Sequence, residues 1–153
     1  MIRKILLGLL AVFIVLQIFQ IDKKNPDYPA DQDFLAAVDV PADVAETLKT
    51  ACYDCHSHET KYPWYTYVQP VGWWVKDHIN EGKGHLNFSE WTTYEPKRAK
   101  HKLEECYEEV EEGKMPLKSY KWIHGDSRLS DDERSRLAGW FEEQYHAYQL
   151  SEK

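Results

Sequence analysis

One stretch of the chain is apolar throughout, and four others repeat apolar residues at helical spacing. The continuous stretch runs from Ile5 to Ile21, ILLGLLAVFIVLQIFQI, seventeen positions without a charge behind Arg3 and Lys4. Such a run is the pattern of an export signal or a membrane anchor. The residues that follow, Gln20-Ile21-Asp22-Lys23-Lys24-Asn25-Pro26, offer no small-x-small cleavage site, so an uncleaved transmembrane anchor over residues 1–21 is expected. At about 1.5 Å per residue the run reaches roughly 25 Å, the short end of a bilayer crossing. Residues 22–34, with Pro26, Pro29 and several charges, read as a tether. Residues 35–153 then read as one domain, with no repeat or low-complexity segment to divide them.

Within that domain the patterning predicts helices and no convincing strand. The first begins at Pro41, with Asp43 and Glu46 near the positive end of its dipole and Val44, Leu48 and Ala51 facing inward. A second covers Val71 to Asn80, where Val71, Trp74, Val75, His78 and Ile79 fall on one face and Gly82 and Gly84 are expected to end it. A third covers Lys97 to Glu112, with Ala99, Leu103, Cys106, Tyr107 and Val110 inward and Gly113 as its cap. Its basic residues come first and its acidic residues last, against the dipole, so packing must hold it. The last opens on Ser130-Asp131-Asp132-Glu133, a capping box, and turns Leu137, Trp140, Phe141, Gln144, Tyr145 and Tyr148 inward. Tyr62 to Tyr67 is aromatic enough for a short extended segment. The expected fold class is all-α, with aromatic loops.

Charge narrows the partners. Formal net charge is −7, and beyond the apolar run the chain carries 17 basic against 26 acidic residues, or −9. Such a surface argues against nucleic acid and for a partner with a basic docking surface.

The chemistry is concentrated in Cys52-Tyr53-Asp54-Cys55-His56. A Cys-x-x-Cys-His run is the attachment signature of a c-type haem. Two thiols three positions apart can each add to one vinyl group on a porphyrin edge, and the adjacent imidazole reaches the iron. Cys52 and Cys55 are thus candidate attachment points for one covalent haem per chain, and His56 is the candidate proximal ligand. A thioredoxin-like redox pair would need a βαβ pattern around the motif, which is absent. A zinc site from Cys52, Cys55, Cys106 and a histidine stays open, although no second ligand pair at zinc spacing accompanies Cys106.

Haem iron with methionine, histidine or nothing in its sixth position serves different functions. Apart from Met1, Met115 is the only methionine, and it stands in Gly113-Lys114-Met115-Pro116, where Pro116 favours an extended backbone at Met115. Met115 is the candidate distal ligand, against its commoner use as a gap-filler. His78 is the rival, because it lies on the apolar stripe of its helix. His58 is too close to His56 to reach the opposite haem face, while His85, His101, His124 and His146 sit in polar or loop contexts. Cys106 reads as a buried structural thiol. Tyr62, Trp64, Tyr65, Trp73 and Tyr120 are candidate donors to a haem propionate.

The order of helix, Cys-x-x-Cys-His, long aromatic loop, Met-Pro loop and final helix opening Leu129-Ser130-Asp131-Asp132-Glu133-Arg134 resembles small cytochromes c. More closely, Cys52 to Ser57, Tyr62-Pro63-Trp64-Tyr65, Pro70, Trp73 to His78, Asn80-Glu81-Gly82, Leu86 to Trp91 and Met115-Pro116-Leu117 resemble the exported haem-binding domain family of Bacteroidetes-type bacteria, over roughly residues 35–145. The resemblance implies a cytochrome c-like fold, haem bound covalently through Cys52 and Cys55, iron ligated by His56, and Met115 as the distal ligand. Covalent haem is attached outside the cytoplasmic membrane in bacteria. The expected protein is therefore a single-pass inner-membrane protein with its haem domain facing the periplasm, acting as a mono-haem electron carrier with His/Met-ligated iron. The competing readings are a haem-based sensor or gas-binding module and a peroxidase-like enzyme, both of which need an open or displaceable sixth position.

Overall fold

The apolar stripes form helices where their spacing predicts, and the irregular segments between them are shorter and better packed than the sequence suggests. The computed structural model describes residues 1–151, with side chains described as far as Tyr148. Its described residues contain eight α-helices and no strand: α1 (Ile2–Leu16), α2 (Phe34–Ala37), α3 (Ala42–Ala51), α4 (Tyr53–His56), α5 (Val71–His85), α6 (Pro96–Glu111), α7 (Lys118–Ile123) and α8 (Asp131–Ser151). Short 3-10 turns at Ala30–Gln32, Trp64–Tyr67, Phe88–Thr93 and Gly125–Ser127 connect them. The second of these stands where an extended segment was expected.

Helices α6 and α8 form the largest packed pair. Ala99, Leu103 and Val110 on the first are buried with Leu137, Ala138, Trp140 and Phe141 on the second. The capping box starts α8: the Ser130 amide donates to Glu133 Oε2 at 2.8 Å, and the Glu133 amide donates back to Ser130 Oγ at 3.2 Å. Gly113 ends the α6 segment at φ +71°, the left-handed conformation that glycine adopts without a steric penalty. Helix α3 buries Val44, Leu48 and Ala51 as its stripe requires.

The centre of the core is Phe34, fully buried. Its ring lies 5.2 Å from Phe88, 4.7 Å edge-on from Trp91 and 5.8 Å edge-on from Trp140. Residues 22–34, expected as a tether, thus end inside the domain. Asn25 Nδ2 donates to the Thr60 carbonyl at 2.9 Å, and Tyr28 donates to Glu59 at 2.7 Å. Asp33 caps α2 by accepting from the Leu35 amide at 2.9 Å, and it also accepts from Tyr53 at 2.8 Å.

The N-terminal run corrects the expectation of a transmembrane anchor. Helix α1 stops at Leu16 after 15 residues, about 22 Å at 1.5 Å per residue, where a crossing takes about 20 residues. No helix among the described residues is long and apolar enough to cross a membrane. The single-pass inner-membrane placement, with its periplasm-facing domain, loses its support with the anchor. The physical reason lies just after the helix. Gln17 Nε2 donates to the Phe13 and Gln69 carbonyls, Gln17 Oε1 accepts from the Gln69 amide at 2.8 Å, and Gln20 Nε2 donates to the Tyr67 carbonyl at 3.1 Å. Trp73 Nε1 donates to the Phe19 carbonyl at 2.8 Å. Residues 17–20 fasten α1 to the 67–73 segment, so the N-terminal helix is part of the domain.

Candidate functional site

The five residues of the cysteine motif divide between three surroundings. Tyr53 points into the core, stacked on Phe88 at 5.2 Å and 7°, with its hydroxyl on Asp33. Burial and the Asp33 carboxylate hold that phenol far above its ordinary pKa, so it remains a donor. Ser57 Oγ donates to the Tyr53 carbonyl at 2.8 Å and closes the short helix. With Tyr53 fixed inward, α4 turns Cys52, Cys55 and His56 to a cavity of about 540 Å³, within the roughly 300–1,000 Å³ typical of small-molecule sites. Asp54 faces α7.

His56 is held by main chain alone. Its Nδ1 lies 3.0 Å from the Gly82 carbonyl and 3.1 Å from the Leu86 carbonyl. Two acceptors at one nitrogen require that nitrogen to carry the proton, which leaves the Nε2 lone pair free. Burial lowers the imidazole's pKa and keeps the ring neutral, although the two carbonyls oppose the shift. This geometry exists because α5 runs on through Gly82 and Gly84 to His85 instead of ending at those glycines. A Cβ at Gly82 would stand 2.8 Å from the Cys55 carbonyl oxygen, so only glycine lets α5 approach α4 this closely.

The thiols of Cys52 and Cys55 are free, and burial pushes them up to about 12 and about 11, so both are protonated at neutral pH. Cys106 borders the same cavity and is raised likewise by burial. Among the described residues no group of three or more His, Cys, Asp or Glu side chains could hold a metal ion, so Cys106 completes no zinc site with the motif cysteines.

Met115 borders the same cavity. Its amide donates to the Glu109 carbonyl at 2.9 Å, and its carbonyl accepts from Arg134 Nη1 at 3.2 Å. The same guanidinium nitrogen donates to the Val110 carbonyl at 2.6 Å. Arg134 thus ties α8 to the end of α6 and to the Met115 turn. Sequence reasoning missed it, since an arginine four residues past a capping serine reads as a solvated position.

His78 also borders the cavity, its Nδ1 hydrogen-bonded to the Trp74 carbonyl at 2.9 Å and its ring 4.3 Å from Trp74. His85 reaches the cavity rim as well. His58 lies elsewhere, hydrogen-bonded to Glu90 at 2.9 Å. His101 and His146 make surface contacts with glutamates of their own helices. His124, expected in a polar context, is hydrogen-bonded to Tyr65 at 2.6 Å and stacked on Tyr120 at 4.1 Å. Of the aromatic donors, Tyr120 borders the cavity but donates to Asp54 at 2.7 Å, Trp73 is committed to Phe19, and Tyr62 accepts from Lys76 at 3.2 Å. Trp64 is exposed.

The cavity suits a largely apolar group with a Lewis-acidic centre. Leu86, Phe88, Val110, Leu117 and Phe141 supply apolar wall, the two thiols stand beside the imidazole, and Met115 brings a thioether to the same space. A comparison with known families agrees with this chemistry: a model described as a haem-binding domain matches residues 11–143, from within α1 to well into α8. No curated protein and no solved structure matches the chain. The matched span takes in every residue that borders the cavity, and the chain belongs to the haem-binding domain family.

Proposed function

We propose that this protein is a mono-haem electron carrier of c type, in which Cys52 and Cys55 would hold one haem through thioethers and His56 and Met115 would ligate its iron. The observation that carries the reading is His56, its Nδ1 held by two carbonyls beside two free thiols on one cavity wall. Haem, when bound, supplies a one-electron Fe(III)/Fe(II) couple. The residues around it have separable roles. The Gly82 and Leu86 carbonyls fix the imidazole's tautomer and raise its basicity as a ligand. The Glu109 carbonyl and Arg134 hold the Met115 backbone, so the main chain that carries the thioether needs no ordering when it engages a metal. A thioether in the sixth position favours reduced iron and raises the potential. Leu86, Phe88, Val110 and Phe141 give the site apolar walls. With both His56 and Met115 engaged, the bound group would serve electron transfer rather than gas sensing or peroxidase chemistry, which need an open position.

The acidic surface supports a redox partner with a basic docking surface, and Glu105 and Glu109 of α6 stand at the cavity rim where such a surface would approach. The proposal is tested on the holoprotein by absorption and carbon monoxide binding. Wild type should show the weak long-wavelength band of sulfur-ligated ferric haem and should bind carbon monoxide poorly. Met115→Ala should abolish the band and open the reduced iron, whereas His78→Ala should change neither. The reverse pattern would make His78, which borders the same cavity, the sixth ligand. Acidified organic solvent should extract haem from a Cys52→Ser/Cys55→Ser protein and not from wild type. Extraction from both would refute covalent attachment.

A further inference from the structure

The two spacer residues of the cysteine motif carry no chemistry in the haem-attachment reading, yet Asp54 has both carboxylate oxygens engaged. Oδ1 accepts from the Lys61 amide at 3.0 Å, and Oδ2 accepts from the Tyr120 hydroxyl at 2.7 Å across 66 positions of sequence. Tyr120 belongs to α7, a six-residue helix with no buried residue. Packing alone therefore holds α7 weakly, and its polar contacts must fasten it. Apart from Arg128 Nε on the Lys121 carbonyl at 2.8 Å, they converge on one point: Tyr120 bonds Asp54, its ring stacks on His124 at 4.1 Å and 13°, and His124 is hydrogen-bonded to Tyr65 at 2.6 Å. Met115, Pro116, Leu117 and Tyr120 line the cavity in succession. The segment is pinned at Met115 by the Glu109 carbonyl and Arg134, and packed again beyond α7, where Gly125–Ser127 meets α3. Between those points its attachment to the cysteine motif is the Asp54–Tyr120 bond.

We infer that Asp54 and Tyr120 form a latch between the haem-attachment helix and the Met115 segment, and are positioning residues that hold the Met115 side of the cavity against that helix. The inference rests on the proposed Met115 ligation. A phenol donating to a fixed carboxylate is a charge-assisted bond, stronger than a neutral one. Its loss shifts a local opening equilibrium by about tenfold or more. The latch also accounts for the Asp54 spacer, since an aspartate there ties the loop that carries one ligand to the helix that carries the other.

Imidazole binding to the ferric holoprotein tests this. When the sixth ligand must leave first, the observed rate saturates at high imidazole at the rate of loop opening. Tyr120→Phe keeps the ring and its stack and removes the hydroxyl, and it should raise the saturating rate about tenfold while leaving the sulfur band in place without imidazole. Asp54→Ala should raise it at least as much, and the Asp54→Ala/Tyr120→Phe protein should go no further than Asp54→Ala alone. Tyr107→Phe, which removes a hydroxyl hydrogen-bonded to Glu111 of its own helix instead, should leave the rate at the wild-type value and so separates the latch from general loosening. A wild-type protein with the sulfur band whose rate is unchanged by Tyr120→Phe would overturn the latch alone, as would equal acceleration by Tyr107→Phe. A wild-type protein without the sulfur band would overturn the Met115 reading and the latch with it.

Discussion

Gly82 gives the sharpest test of how the site is built, because a second glycine two residues on serves as its control. An alanine Cβ at position 82 would meet the Cys55 carbonyl oxygen at 2.8 Å and the Cys55 carbonyl carbon and Cβ at 3.3 Å. None of these atoms can rotate away, so α5 and α4 must separate by some tenths of an ångström. Overpacking of this kind costs about 1–3 kcal/mol. The separation also weakens the His56–Gly82 bond, worth about 1 kcal/mol. Against this stands the gain of about 1 kcal/mol from replacing a helical glycine by alanine. The net expectation for Gly82→Ala is a loss of about 1–3 kcal/mol, a fall in Tm of about 2–12 °C at this chain length. A Cβ at Gly84 meets nothing within 4 Å, so Gly84→Ala keeps only the propensity gain and should stabilise by about 0.4–1 kcal/mol. Urea and thermal unfolding of the two variants beside wild type measure both signs. If Gly82→Ala is as stable as wild type, or if the two substitutions shift stability alike, the close approach of α5 to α4 is not what sets the His56 geometry.

Phe34→Ala should cost about 3–5 kcal/mol in denaturant unfolding, because it empties the centre of the aromatic core; a loss under about 1 kcal/mol would return residue 34 to the tether expected from sequence. Asp43 is held below its ordinary pKa chiefly by Arg136, and Glu133 by the Ser130 amide and hydroxyl. Depressed carboxylates contribute stability that is fully present above their unfolded values near pH 4 and is lost as pH falls through their folded values. Urea midpoints of an Asp43→Asn/Glu133→Gln protein should therefore fall less than those of wild type between about pH 5 and pH 2, and an equal fall would refute this. Arg134→Ala removes a charged donor from two carbonyls and should cost about 1–3 kcal/mol. In the holoprotein it should also weaken the sulfur band, and an unchanged band would show that the Met115 turn holds its shape without α8.

What could be read from sequence follows from the length of the signal. Helices α3, α6 and α8 run for ten residues or more, enough for a 3.6-residue stripe to repeat, and their buried faces fall on the expected positions. Helices α2 and α7 have four and six residues, too few for any period to register, and each holds something the sequence hid: the core position of Phe34 in one, the bond from Tyr120 to Asp54 in the other. Gly82 and Gly84 read as stops because glycine disfavours a helix, but the cost is only about 1 kcal/mol, which close packing on Cys55 outweighs at Gly82. The apolar N-terminal run is membrane-like in composition, but Gln17 and Gln20 commit their amides to loop carbonyls and cut the helix at Leu16. Cys52, Cys55 and His56 could be picked out as candidates because the chemistry they would serve demands a fixed local spacing, and the structure places all three on one cavity. Asp54 with Tyr120, and Arg134 with Met115, could not be, since each pairing joins distant segments and neither residue type is unusual where it stands.

The brace on His56 has a genetic consequence. Both acceptors are main-chain carbonyls, and every amino acid supplies the same carbonyl. Side-chain substitutions at Leu86 leave the acceptor itself intact, so a saturation scan would record an effect of cavity lining there and stay silent about the imidazole. The brace can be altered only by rerouting the end of α5. Variation that retunes the basicity of His56 should therefore surface as insertions, deletions or prolines between Gly82 and Leu86, with glycine at 82 as the one side-chain requirement a scan would detect.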